Sequence, residues 1–185
     1  RKEVAAAHGI EPFADMDRLL DTVDAVIIAT PSSTHFPVGS RCLGQKQHVL
    51  MEKPLARSSA EGRELCRLAK ENGCILHVGH SEAFNPAFEE LMSHTPSPAF
   101  IEAHRLAQFS PRGTDVSVIL DLMVHDIHLL LRLCKELPVI EKIAATGVAV
   151  VSPDIDIVNA RIPFPGGCTA NLTASRISVK RMRKF

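Results

Sequence analysis

Three short apolar runs, spaced by segments of helical character, constrain the fold of this chain more than any other feature. Residues 24–30, 48–52 and 74–79 show no regular alternation of apolar and polar side chains. Runs of this kind are typical of strands that are buried on both faces of a parallel sheet. We therefore expect three central strands in the first half of the chain.

The segments between these runs have the spacing of amphipathic helices. One helix is predicted from about residue 35 to 43, and a second from 58 to 72. The second begins with Ser58 and Glu61, which are placed for a capping box, and Gly73 follows its end. The alternation of helix and strand predicts an α/β fold with a doubly wound parallel sheet.

The pattern changes after a proline-containing break near residue 96. A strand is predicted at 99–109 and a long helix at 117–135, followed by three strand candidates at 139–151, 155–164 and 168–178. The turn Phe164-Pro165-Gly166-Gly167 joins the last two as a hairpin. We expect an α+β second domain with a mainly antiparallel or mixed sheet, and we place the two domains at residues 1–95 and 96–185.

The charge balance and the cysteines exclude several classes of partner. The formal net charge is zero, and no basic run occurs before Lys180–Lys184, which we interpret as a loop and not as a nucleic-acid-binding arm. No apolar stretch is long enough to cross a membrane, and no signal peptide is recognisable. The five cysteines are scattered, as expected for reduced thiols. We expect a cytoplasmic protein that binds a small molecule, with neither a nucleic-acid nor a membrane partner.

Polar side chains follow two neighbouring strands where each strand ends. Thr30-Pro31-Ser32 comes after the first strand, and Glu52-Lys53-Pro54 comes after the second. Ligands of open α/β sheets bind at the carboxyl ends of the strands. The sequence therefore predicts a binding site at this edge, with Lys53 in it.

A second group of candidate residues lies on the apolar helix at 117–135. Asp121, His125 and His128 fall on one stripe of this helix, and Asp126 is rotated by about 100° from it. A carboxylate one turn from an imidazole favours a general base that works near neutral pH. The alternative is a core histidine whose hydrogen-bond partner is Asp121.

Together these motifs resemble the Gfo/Idh/MocA oxidoreductases, the family of glucose-fructose oxidoreductase and inositol dehydrogenase. The resemblance depends on the order and spacing of Ala29-Thr30-Pro31 with His35, His48-Val49, Glu52-Lys53-Pro54 and Asp121–Asp126. Two further segments, Gly79–Ala87 and Arg105–Asp121, are similar to the branch that oxidises C3 of UDP-activated N-acetylamino sugars. Ala83 and His128 depart from that branch, which usually has Arg and Asp there.

The resemblance implies a role for each matching residue. Lys53 would lie beside the nicotinamide and the reacting hydroxyl group, with a cis Lys53–Pro54 bond. His125 would accept the hydroxyl proton, and Asp121 would orient the substrate or the histidine. The residues expected to line the cofactor are Thr30, Pro31, Ser32, His35, Glu52, Lys53 and His80. Those expected to contact the sugar or its diphosphate are Asn85, Arg105 and Arg112.

The resemblance also implies NAD or NADP as the cofactor. The glycine-rich loop G-x-G-x-x-G, which lets backbone N–H groups approach the cofactor pyrophosphate, does not occur in this sequence. We therefore expect residues 1–95 to form a partial Rossmann domain that lacks its first strands. Residues 96–185 would form a partial substrate-binding and dimerisation domain, and the function would be oxidation of a secondary sugar hydroxyl by hydride transfer.

Two other readings stay open at this point. A metal-dependent hydrolase would use the cluster of histidines and acids as ligands, although we expect no bound metal in the dehydrogenase interpretation. A non-catalytic relative would keep the fold and form a homo-oligomer through the second-domain sheet. The residues of the candidate metal cluster are His77, His80, Glu82, Asp121, His125, Asp126 and His128.

Overall fold

The structure is a computed structural model that describes residues 2–95, 97–110 and 115–185. Arg112, a predicted substrate ligand, lies outside the described residues. The first half contains three strands, β1 (Ala25–Ile28), β2 (His48–Met51) and β3 (Leu76–Val78). Its helices are α1 (Lys2–His8), α2 (Met16–Leu20), α3 (His35–Gly44), α4 (Ser59–Glu71) and α5 (Pro86–His94).

The strands of the first sheet are parallel, as the alternating pattern predicted, and their order is β1-β2-β3. The predicted capping box at the start of α4 is confirmed, because Ser58 accepts a hydrogen bond from the Glu61 backbone N–H and Glu61 accepts one from that of Ser58. Helix α3 lies very close to the sheet at Gly39, where an added Cβ would come within 2.6 Å of Met51 Cε. This close packing fixes the position of α3 against the carboxyl end of β2.

The expectation that these strands are buried on both faces is wrong for the described residues. Ile27 and Ile75 are 73% and 66% exposed, and Leu50 is also exposed. The reason is that α3 and α4 pack against each other and cover the same face of the sheet. Residues of that face, such as Val49 and Met51, are fully buried.

The second half forms a mixed sheet with the order β5-β6-β7-β4-β8. Strands β4 and β7 are parallel, and the other pairs are antiparallel. The predicted hairpin at residues 164–167 joins β6 to β7. The strands are β4 (Phe100–Leu106), β5 (Ala144–Val148), β6 (Ile157–Pro163), β7 (Thr169–Ser175) and β8 (Met182–Lys184).

We had expected the basic segment at the end of the chain to be a loop, but part of it forms a strand. Met182–Lys184 forms β8, which pairs antiparallel with β4 so that Arg183 lies opposite Arg105. Pairing with a strand some 80 positions earlier leaves no local signal, because a three-residue strand is too short to show periodicity. The basic side chains are therefore held on the second sheet.

The long helix of the second half begins with a wider turn than an ordinary α-helix. Ile119–Met123 is a π-helical turn, and α6 (Val124–Cys134) continues from it. Because π-helical bonds span five residues and not four, Asp121 and His125 do not keep the α-helical offset that the sequence analysis assumed. No helix in the described parts of the chain is long and apolar enough to span a membrane.

Each sheet has its own hydrophobic cluster. The first contains side chains of α3, α4 and β1–β2, and the second lies between α6 and the inner face of the mixed sheet. The predicted boundary near residue 95 falls between α5 and β4. The division into two independent domains stays a prediction.

Candidate active site

The carboxyl ends of β1 and β2 are tied together by a buried histidine. His35 is 1% exposed, with Nδ1 2.7 Å from the Pro54 carbonyl oxygen and Nε2 3.0 Å from the Thr30 carbonyl oxygen. Neither ring nitrogen is left for a cofactor, so the structure corrects our expectation that His35 lines the cofactor site. Its imidazole instead supports the two loops from behind.

Lys53 reaches from the first sheet to the helix of the second. The Lys53–Pro54 bond is cis, as expected. The Lys53 ammonium donates hydrogen bonds to the Asp121 backbone oxygen at 2.7 Å and to Asp121 Oδ1 at 3.2 Å, and both side chains are about one-fifth exposed. The structure thus joins two residues that the sequence analysis had placed on separate segments.

His125 lies near this pair, but it does not have the partner that we expected. Its Nδ1 atom is buried and has no hydrogen-bond partner among the described residues, because the Asp121 carboxylate contacts Lys53. Burial, followed by the positive charges of Lys53 and Arg105, lowers the pKa of His125 to about 4. The imidazole is therefore neutral at neutral pH and able to accept a proton. Both sequence interpretations, which paired His125 with Asp121, are wrong on this point.

A second pair of imidazoles connects the two halves of the chain. The rings of His80 and His128 are stacked, with centroids 4.2 Å apart and planes 9° from parallel. Burial, and for His80 the nearby charge on His128, lowers the pKa of both rings. His80 Nδ1 is also buried without a partner among the described residues. No group of three or more His, Cys, Asp or Glu side chains in the described ranges is arranged to hold a metal ion.

Arg105 is committed to the protein's own carboxylates. It is 7% exposed and donates to both oxygens of Asp126 at 2.7–3.1 Å and to Glu82 Oε1 at 3.2 Å. Burial raises the pKa of the Glu82 carboxyl, but its hydrogen bond to Arg105 lowers that pKa overall. The expected role of Arg105 as a substrate ligand is thus corrected in part: the guanidinium connects α6 to the loop after β3, with only its edge at a cavity.

The other predicted residues lie around the same strand ends. Thr30 and Pro31 are exposed, and Ser32 is partly exposed at the start of a short 3₁₀ turn. Glu52 is exposed and its Oε2 accepts a hydrogen bond from the Lys53 backbone N–H at 3.3 Å. Asn85 caps α5 by accepting a hydrogen bond from a backbone N–H at 3.0 Å. Their contacts with a cofactor or sugar stay predictions.

The described residues fit one half of a nicotinamide dinucleotide. Exposed hydroxyl groups at the end of β1, the Lys53 ammonium and two buried imidazole nitrogens without partners offer donors and acceptors around a nicotinamide ribose. The sequence holds no glycine-rich loop for the pyrophosphate.

Sequence reasoning missed the contacts that link distant segments. The Arg105–Asp126 pair joins residues 21 positions apart, and the stacked histidines join the end of β3 to α6. Neither has a local signature.

Comparisons with known proteins agree with this geometry. Residues 1–80 match the model of the Gfo/Idh/MocA group, described as an oxidoreductase family with an NAD-binding Rossmann fold. UDP-N-acetylglucosamine 3-dehydrogenase of Acidithiobacillus ferrooxidans is 40% identical over 187 residues, which cover 99% of this chain and 59% of that protein. Inositol 2-dehydrogenase of Rubrobacter xylanophilus is 34% identical over 133 residues, or 67% of this chain and 38% of that protein.

The similarity extends to the three-dimensional structure. The solved structure of the Acidithiobacillus ferrooxidans UDP-N-acetylglucosamine 3-dehydrogenase has a TM-score of 0.90 and 39% identity, covering 98% of this chain and 60% of that one. The fold is that of Rossmann-type dehydrogenases, with a parallel sheet followed by a mixed, mainly antiparallel sheet. Within that class, the chain carries a domain of the Gfo/Idh/MocA family. It spans about 60% of the length of the first of these relatives.

Proposed function

We propose that this chain provides the hydride-transfer side of an NAD(P)-dependent dehydrogenase that oxidises a secondary hydroxyl group of a sugar or nucleotide-linked sugar. The observation that carries the proposal is the junction of the two sheets. There the Lys53 ammonium is held by Asp121 near a neutral His125. The similarity to two named sugar and polyol dehydrogenases supports the same reaction class.

The roles of the residues follow from their charge states. His125 accepts the hydroxyl proton, because its imidazole is neutral at neutral pH. The Lys53 ammonium stabilises the negative charge that develops on the substrate oxygen, and Asp121 keeps the lysine in position. When bound, the nicotinamide ring supplies the hydride acceptor. The net reaction converts the alcohol and the oxidised cofactor into a ketone, the reduced cofactor and a proton.

The proposal is tested by following the near-ultraviolet absorbance of reduced nicotinamide. The purified protein is incubated with NAD⁺ or NADP⁺ and either UDP-N-acetylglucosamine or myo-inositol. We expect reduction of one cofactor with at least one substrate. The absence of reduction under every combination, in a preparation that is folded by circular dichroism, would contradict the proposed function for this chain.

The pH dependence of kcat/KM tests the role of His125. Because the base must be neutral and its pKa is about 4, we expect kcat/KM to be independent of pH near neutrality and to fall only as the pH approaches 4. His125→Asn should lower the rate by about 10²–10⁴-fold and remove this acid limb. An unchanged limb in the variant would assign the proton transfer to another group.

The oligomeric state and compartment form a separate part of the proposal. The face of the mixed sheet opposite α6 carries partly or fully exposed polar residues, including Glu102, His104, Asn159 and Thr173. This open face could pair with the same face of a second copy in a symmetric homo-oligomer, which sedimentation analysis would test. All five cysteines are free, which supports a reducing cytoplasmic compartment.

A further inference from the structure

A cavity of about 420 Å³ lies beside the candidate active site, on the side of the mixed sheet. Its volume falls within the range of small-molecule binding sites. Asp121, which holds Lys53, lines this cavity together with four arginines, namely Arg105, Arg176, Arg181 and Arg183. A ligand in the cavity would therefore lie next to the proposed reacting centre.

Strand β8 turns its arginines towards this cavity. Arg183 lies directly opposite Arg105 in the antiparallel pairing of β8 with β4, so that the two side chains share one face of the sheet. Arg181 immediately precedes β8 and lines the same cavity as Arg183. Lys184 points to the other face, where it forms an ion pair with Glu102 at 3.0 Å. The basic run is thus divided between two surfaces.

The carboxylates near the cavity already have cationic partners. Asp126 pairs with Arg105, Asp156 pairs with Arg176 at 2.8 Å, and Asp121 pairs with Lys53. Glu82 Oε1 is shared by Arg105 and Arg183, at 3.2 Å from each. Among the described residues no ion pair involves Arg181, which is exposed. The positive charge of Arg181 at the mouth of the cavity is therefore not neutralised by a described carboxylate. Arg183 has one carboxylate partner, which it shares with Arg105.

We infer that Arg181, assisted by Arg183, binds a phosphate group of the substrate, so that the sugar enters the site as a phosphorylated or nucleotide-linked anion. This inference rests on the proposed function and adds to it a specificity-determining subsite at the start of β8. A guanidinium group suits phosphate because its planar N–H donors match the phosphate oxygens. A neutral polyol would gain nothing from these two arginines.

The same phosphate chemistry is present in the cofactor, so the experiment has two arms. Calorimetric titration of the purified protein uses UDP as the probe for a substrate diphosphate and ADP as the probe for the cofactor phosphates. Arg181→Gln is compared with Lys184→Gln, which removes one positive charge from the same short segment but on the face of the sheet that carries Glu102. Neither residue takes part in the proposed chemistry.

We expect Arg181→Gln to raise the Kd for UDP by about tenfold, as for the loss of one charge-assisted hydrogen bond, and to leave the Kd for ADP unchanged. Lys184→Gln should change the Kd for UDP by less than about twofold, because an exposed charge on the other face is screened. Arg181→Lys, which keeps the charge, should lose less affinity than Arg181→Gln and serves as a second variant if the glutamine form does not fold.

Three results would overturn the inference. The first is that the unmodified protein does not bind UDP. The second is that Arg181→Gln and Lys184→Gln lose equal affinity for UDP. The third is that Arg181→Gln loses affinity for ADP alone, which would assign the arginine to the cofactor. These titrations need no turnover, so UDP binding without any cofactor reduction would contradict the proposed function alone. In an active enzyme, Arg181→Gln should raise KM for a phosphorylated sugar and leave kcat unchanged.

Discussion

Replacement of Lys53 by Met should reduce turnover by about 10²–10⁴-fold while the protein stays folded. Methionine keeps the length and apolar character of the lysine stem but removes the ammonium that contacts Asp121. In the proposed mechanism this ammonium stabilises the negative charge that develops on the substrate oxygen, so its loss should slow the reaction. Lys70→Met, an exposed change on α4, is the matched control and should leave turnover unchanged. Activity of Lys53→Met within about threefold of the unmodified protein would exclude Lys53 from the chemistry.

The same substitution gives a readout that does not depend on activity. The charge of Lys53 is one of the causes that lower the pKa of His125 to about 4. Its removal should therefore raise the pKa of His125, although burial will still keep it below the ordinary histidine value of 6.5. Titration of the histidine ring protons by NMR measures this shift directly. An unchanged His125 pKa would mean that the two side chains are not neighbours.

Replacement of Asp126 by Ala should destabilise the protein by about 3–5 kcal/mol, the largest loss of stability that we expect from a single change. The reason is the environment of Arg105, which is 7% exposed and donates three of its hydrogen bonds to Asp126. Loss of the carboxylate leaves a buried guanidinium with only Glu82 as its ionic partner. The measurement is the midpoint of urea unfolding at constant slope.

A double variant separates this explanation from a simple loss of packing. Replacing both partners, as in Arg105→Met with Asp126→Leu, removes the unpaired charge and should recover most of the stability lost in Asp126→Ala. Arg41→Gln, which breaks the exposed ion pair with Asp17, is the surface control and should have a much smaller effect. A double variant as unstable as Asp126→Ala would contradict the charge explanation.

Much of the local structure was predictable because its causes are local. The apolar runs fixed β1 and β2 to within two residues, and the Ser58–Glu61 capping box fixed the start of α4. Parallel strands of one sheet end at the same edge, so Lys53 was correctly placed at a strand end. The apolar helix with polar side chains was also found, although not its π-helical first turn.

The composition of the site was less predictable than its location. His35 was expected beside the cofactor, yet the close packing of α3 against the first sheet buries it between two carbonyl groups. Asp121 was expected to orient the substrate or His125, and the packing of the two halves brings Lys53 to its carboxylate. Both outcomes depend on how distant elements pack together. Periodicity predicts which face of an element is buried, but not which residues it will contact there.

The sequence by itself determined most of the helices and strands, the parallel arrangement of the first sheet and the strand end that carries Lys53, because these follow from spacing, caps and turns along a few consecutive residues. Only the tertiary structure decided which charges meet. Lys53 and Asp121 are 68 positions apart, and Arg183 joins the sheet opposite Arg105 through a strand of three residues. Such pairings depend on how the two sheets pack, and an ion pair between distant segments leaves no periodic signal in either of them.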